Sequence, residues 1–320
     1  MLQFTSIPTQ FAALDAPLNY TLAGLTDGRV QLNIYTDEGR LLATKRLIGN
    51  GSCTVDLAPI VRRAAAFTPA VASTGFVASA DRTLTMRVEA ISGSERVTSA
   101  ARTILFAWTS VTLPAICSTL PMSRLIAPEA CDEVSFVAVD PRKITVTAES
   151  PTAIVSEEFT SPEQGLQCFR LVAADYPEAE QITLTVEGIG QLHYTVAPPN
   201  EGAVTLAWRS SAGSIEHYTF PIVEAIRLLV DKERACGAAG YSLTSVEVEE
   251  RWQLHSAYET AQMMRALSEL LYAEQVWRVT AAGYEAVDLL TEECEILRHG
   301  VMRKLSVVIR TNQKNSRLWS

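Results

Sequence analysis

A mainly β chain with a C-terminal α+β module is the fold class that this sequence predicts. It reads as two small β-sandwich-like domains followed by an antiparallel sheet packed on one helix. Three observations carry that expectation. Short runs with period-two alternation of apolar and polar residues fill the first two thirds. Pro, Gly, Asn and Asp punctuate them at turn spacing. One long stretch with helical period stands near the C-terminus, where it follows and precedes further strand-like runs. At 320 residues the chain exceeds one ordinary core. The expected domains are 1–110, 111–200 and 201–320, the last with a C-terminal arm.

In residues 29–36, Val30, Leu32 and Ile34 share one face while Gln31 and Asn33 take the other. Asp37-Glu38-Gly39-Arg40 turns the chain, and residues 41–44 return as the partner strand. Asn50-Gly51 marks a second turn. Asp56 is placed to cap a short helix over 57–66 with Pro59 in its first turn. Leu84, Met86, Val88 and Ala90 alternate again, and 103–108 has the look of a buried strand.

The second domain is predicted from strands at 133–139, 143–148, 167–173 and 181–186. Asp140-Pro141, Ser150-Pro151, Ser161-Pro162 and Asp175-Tyr176-Pro177 separate them, since Pro removes a backbone donor and stops regular structure. A run at 191–196 closes the domain, and 198–202 reads as a linker.

In the last third, 203–209 and 215–220 form a hairpin around Ser210-Ser211-Ala212-Gly213. Val246, Val248, Glu250, Trp252 and Leu254 line one side of a strand, with Glu247, Glu249, Arg251 and Gln253 on the other. Ser256-Ala257-Tyr258-Glu259 has the form of a capping box. Behind it Met263, Met264, Leu267, Leu270 and Leu271 fall on one helical face. Strands are expected at 276–280, 285–290 and 301–310. The tail 311–320 is polar apart from Leu318 and Trp319, and reads as a mobile arm.

The net charge of −9, with 48% hydrophobic and 20% charged residues, describes a folded, acidic chain. It argues against a nucleic-acid partner, which needs a Lys/Arg-rich face. The first residues have neither a basic region nor a continuous apolar run, and no window has the length to cross a bilayer. A soluble protein assembled in the cytoplasm, with no membrane partner, is expected. The six cysteines form no C-x-x-C pair, so reduced and mostly buried thiols are expected.

His193, His217, His255 and His299 are far apart, and no nucleophile elbow accompanies them. Glu292-Glu293-Cys294-Glu295 with His299 reads as a solvated acidic segment rather than a metal cluster. Thr36-Asp37-Glu38-Gly39 reads as a turn, lacking the calcium-loop spacing. There is no P-loop and no G-x-G-x-x-G. Catalytic, cofactor-binding and metal-ligating residues are therefore all expected to be absent, and no cofactor is expected. Trp108, Trp208, Trp252 and Trp277 sit in strands, where packing is the first expectation. Trp319 ends a polar tail and is expected to dock on a neighbouring subunit.

The segment 206–220, with Trp208, the Gly213 turn and then Tyr218-Thr219-Phe220, resembles the hairpin of virion or tail structural proteins from phages and prophages of Bacteroidetes. Residues 7–20 and 55–62 are similar to β-rich N-terminal parts of such proteins, and the last third looks like modules of tail tubes and distal-tail rings. The resemblance implies a non-enzymatic tail, neck or baseplate component located in the virion. Its partners would be copies of itself, as a ring or oligomer, and other virion proteins. Trp208, Tyr218, Phe220 and Trp319 are the expected interface residues. A carbohydrate- or cell-surface-binding β-domain protein and a glycoside hydrolase are the alternatives.

Overall fold

The computed structural model describes residues 1–25, 28–65, 67–78, 80–109, 114–162, 164–198, 200–238, 240–296, 302–311 and 315–318. In the first third the elements are β1 (Gln3–Ser6), β2 (Asn19–Ala23), β3 (Arg29–Thr36), β4 (Leu41–Ile48), β5 (Ser52–Asp56), α1 (Ala58–Ala64), β6 (Gly75–Val77), β7 (Thr83–Ser92), β8 (Glu95–Thr98) and β9 (Arg102–Leu105). The middle third holds β10 (Ala115–Cys117), β11 (Ser123–Ile126), β12 (Cys131–Ala138), β13 (Lys143–Glu149), β14 (Ile154–Thr160), β15 (Gly165–Val172), β16 (Gln181–Val186) and β17 (Gly190–Val196). The last third holds β18 (Val204–Arg209), β19 (Ile215–Phe220), β20 (Ile222–Gly237), β21 (Gly240–His255), α2 (Ala261–Leu267), β22 (Val276–Thr280), β23 (Gly283–Leu289), β24 (Ser306–Thr311) and β25 (Asn315–Leu318). The chain is mainly β and sandwich-like.

Two sheets, β1-β2-β5 and β4-β3-β7-β8 with β9 on β7, share the first core. Val30, Leu32 and Ile34 are buried in it, as period-two alternation requires. Asp56 precedes α1 and its carboxylate accepts from the backbone N–H of Ala58 and of Leu18, both at 2.8 Å. The formal N-cap is Leu57, one residue beyond Asp56. The acidic side chain still satisfies a first-turn donor, and it also ties the helix to the chain before β2.

The middle sandwich packs β10-β12-β15-β6 on β11-β17-β16-β13-β14, around Val134, Phe136, Phe169, Ile182, Leu184 and Leu192. Its edge strand β6 comes from the first third of the chain. Phe76 brings its ring edge-on to Phe169, with centroids 5.3 Å apart. β14 is exposed on both faces, which erased the alternation that would have marked it in the sequence.

The last sheet runs β19-β18-β22-β23-β24-β21-β20, with β25 also on β21. Met263, Met264, Ala266, Leu267 and Leu270 cover it together with Trp208, Phe220, Leu254, Val307 and Ile309. Two expectations change here. The helix is capped by Thr260, whose hydroxyl accepts from the Met263 N–H at 3.2 Å, and not by Ser256. Ser256 is fully buried and accepts from the Leu305 N–H, while Glu259 accepts from the Tyr218 hydroxyl. The tail, read as a loose arm, pairs residues 315–318 as β25 against Ser245 to Val248. Residues 222–237, which have no period-two signal, form a strand as long as β21. Leu228-Leu229-Val230 and Asp231-Lys232-Glu233-Arg234 are consecutive apolar and consecutive charged runs, so no face could be read from them.

Candidate functional site

The charged groups of the interior gather where β12 meets the first and last thirds. All eight residues of β12 are buried. Val134, Phe136 and Ala138 enter the sandwich core, and the alternate positions Cys131, Glu133 and Ser135 point the other way. At the start of the strand Asp132 accepts from Arg124 Nη1 at 2.6 Å and from the Tyr194 hydroxyl at 2.9 Å. The His217 Nδ1 lies 3.4 Å from its other oxygen, close enough to pair but without hydrogen-bond alignment. His217 Nε2 is 2.8 Å from the Tyr284 hydroxyl. That hydroxyl also accepts from Arg170 Nη1 at 2.6 Å, and Arg170 Nη2 lies 3.0 Å from the Cys131 sulfur. Arg170 further donates to the carbonyls of Ala70 and Ala72, so one guanidinium ties all three thirds.

A second centre lies at the next residue of β12, Glu133. Arg82 is fully buried, forms a two-pronged ion pair with Glu133, and points Nη1 at the Cys168 sulfur at 3.0 Å. The Phe67 ring covers it at 5.7 Å. A third centre is Glu216 of β19, with no exposed surface. It accepts from the N–H groups of Thr119 and Leu120 and from the hydroxyls of Ser118 and Thr119. It thereby pins the chain between β10 and β11 onto the last sheet.

Burial opposes every charge here, and the neighbours decide each outcome. For Asp132 it is outweighed by Arg124 and then His217, which hold the carboxyl below its usual range. For His217, Tyr284, Cys131 and Asp132 together overcome burial and raise the imidazole well above its ordinary 6.5. Cys131 is lowered because His217 and Arg170 outweigh burial. Cys117 and Cys168 lack such a balance and burial pushes both up to about 12. Burial raises Glu216 above the ordinary carboxylate value.

A thiol beside an imidazole oriented by a carboxylate is the arrangement that activates a nucleophile. Here the Cys131 residue is only 6% exposed, and the neighbouring cavity reaches His217 and Arg124 but is not lined by Cys131. That cavity measures about 230 Å³, less than the roughly 300–1,000 Å³ of ordinary ligand pockets. Among the described residues no group of three His, Cys, Asp or Glu side chains is set to hold a metal. The arrangement joins parts of the chain that are far apart in sequence through buried ion pairs and hydrogen bonds.

The residues singled out in the sequence fall elsewhere. Trp208 and Phe220 are fully buried in the core beneath α2, and Tyr218 is half-buried with its hydroxyl on Glu259. The chain's own sheet and helix take up the surface of Trp208 and Phe220, while Tyr218 keeps part of its surface and lines a cavity beside His217. Trp319 lies outside the described residues, as does His299 of the acidic segment. Glu295 of that segment pairs with Arg303 at 2.8 Å. His193 is exposed beside Thr183, and His255 lies 2.7 Å from Glu224. Among the described histidines only His217 joins the charged junction. The junction's Arg82, Arg124, Asp132, Glu133, Arg170 and Glu216 were missed. The one signal available was Cys131-Asp132-Glu133 opening a strand whose other residues are apolar except Ser135.

No protein-family model matches the chain, and no curated protein matches it in sequence. Among solved structures it is similar to a tetra-tandem repeat from the extending region of a large adhesion protein, at 10% identity over 100% of this chain and 89% of that one, TM-score 0.25. It is also similar to the I9-I11 tandem of titin, at 12% identity over 78% and 94%, TM-score 0.19. A third is Dpr2 Ig1-Ig2 in complex with DIP-Theta Ig1-Ig3, at 10% identity over 62% and 99%, TM-score 0.18. At these scores none of the three bears on function.

Proposed function

We propose that this chain is a non-enzymatic structural component of a phage or prophage particle, in the tail, neck or baseplate, that self-assembles through its last sheet. The observation that carries the reading is a contrast within the molecule. The buried ionisable groups lock three β-rich parts to one another, while the β20–β21 hairpin presents sixteen-residue strands whose outer edge has no partner among the described residues. A stiff body with an open sheet edge suits a subunit that must hold its shape and join others. The likeness of residues 206–220 to virion and tail proteins supplies the particle. Its partners are copies of itself and other virion proteins.

Mass spectrometry of particles purified from an induced lysate tests this. The chain should be present at a fixed ratio to the other structural proteins through successive density gradients. Abundance in the lysate with loss from the purified particles would sink the reading.

A further inference from the structure

β20 is an outer strand of the eight-stranded sheet, and it is long and exposed. Ile226, Leu228, Leu229 and Val230 are 55%, 62%, 40% and 41% exposed. Sheet edges are normally blunted by Pro, by bulges or by several lysines. Between Ile222 and Gly237 there is no Pro and one Lys, Lys232. The pairing of β20 with β21 is irregular between Val223 and Ala225 and again between Glu233 and Arg234. Between those points the strand is regular, and its midpoint is Leu229.

The charges about that midpoint are self-complementary. Within its own hairpin Arg227 stands opposite Arg251, and Asp231 stands opposite Glu247. Like charges directly across a ladder are unfavourable. If a second β20 lies antiparallel with Leu229 facing Leu229, Arg227 of each copy meets Asp231 of the other. Leu228 then meets Val230, and Ile226 meets the Lys232 stem. The opposite edge of the sheet is closed: Ile215, Glu216, His217 and Phe220 of β19 are buried. That blocks a head-to-tail joint of β20 onto β19 and leaves an isologous one.

We infer that β20 is the contact strand of a two-fold dimer, pairing antiparallel with β20 of a second copy about Leu229. This rests on the self-assembly part of the proposed function and commits it to a surface and a register.

Charge reversal reads the register directly. Arg227→Asp and Asp231→Arg each put like charges at two symmetry-related contacts, and each relieves a like-charge pair within the hairpin, so folding is not compromised. Sedimentation equilibrium of the purified full chain should give twice the 34.9 kDa chain mass for the native protein. Each single variant should weaken the dimer by about tenfold or more. The double variant Arg227→Asp with Asp231→Arg should restore it. A monomeric native chain, a dimer indifferent to the single reversals, or a double variant no better than the singles would each overturn the inference. A strand from a different protein on this edge would show as the first of these. The experiment uses no particle, so its result is independent of the other test. A register-dependent dimer absent from particles removes only the particle assignment, and a monomer present in particles removes only the pairing.

Discussion

Arg82 keeps its guanidinium at 0% side-chain exposure, and Glu133, at 1%, is the carboxylate that makes this tolerable. An ion pair in that setting gains little over a well-packed apolar pair, but removing one partner strands a charge. Glu133→Ala should therefore lower stability by about 3–5 kcal/mol, and combining it with Arg82→Met should recover most of that loss in urea unfolding. The Cys131–His217 pair makes a pH signature. Folded, its shifts favour thiolate and imidazolium; unfolded, the groups return to 9.0 and 6.5. The lowered thiol contributes stability that is present above its unfolded value of 9.0 and is lost as pH falls through its folded value, whereas the raised imidazole contributes stability that is present below 6.5 and is lost as pH rises through its folded value. Cys131→Ala removes the first contribution and leaves the second, so urea midpoints of the variant should decline as pH rises above 6.5.

At the scale of elements, α2 contrasts a cap with a core contact. Thr260→Ala removes one side-chain bond to a first-turn N–H and should cost about 1 kcal/mol. Leu267 is fully buried among Trp208, Phe220 and Val307. Leu267→Asp places an unpaired charge there and should unfold the last sheet, read as loss of Trp fluorescence protection and rapid proteolysis. The Ser256–Glu259 spacing matched a capping box, yet both side chains serve long-range contacts to Leu305 and Tyr218. Thr260, one residue later, has the same chemistry and the free donor beside it. A pattern of four residues specifies which bonds are available, and the fold selects among them.

For the whole molecule, the decisive feature is that the three parts share interior. Ala207, Ile215 and Trp277 of the last sheet belong to the first core. Ala13, Leu105, Cys117, Val137, Leu166 and Ala212, from all three thirds, form another cluster at the junction. β6 crosses the expected boundary near residue 110 to complete the middle sandwich. Separate cores would melt in separate steps, whereas shared ones couple. Thermal unfolding followed by calorimetry, by Trp fluorescence and by far-UV dichroism should give one coincident transition. Two resolved transitions would show that the junction contributes little.

Period-two alternation, turn residues and one helical face were sufficient by themselves for a mainly β chain with one helix late in it, read as long where α2 has seven residues, because those signals depend on neighbours in sequence. Val30, Leu32 and Ile34 had only one way to be buried together, and so did Met264 and Leu267. The charged junction was not legible. Arg82, Asp132, Glu133, Arg170 and Glu216 look like surface residues until strands far apart in the chain bring each to its counter-charge. Trp208 and Phe220 looked like interface anchors for the same reason, since burial is a property of what arrives on the other side. The open edge of β20 was also a tertiary decision. Alternation is lost where both faces of a strand meet solvent, and only the sheet order shows which edge no described strand covers.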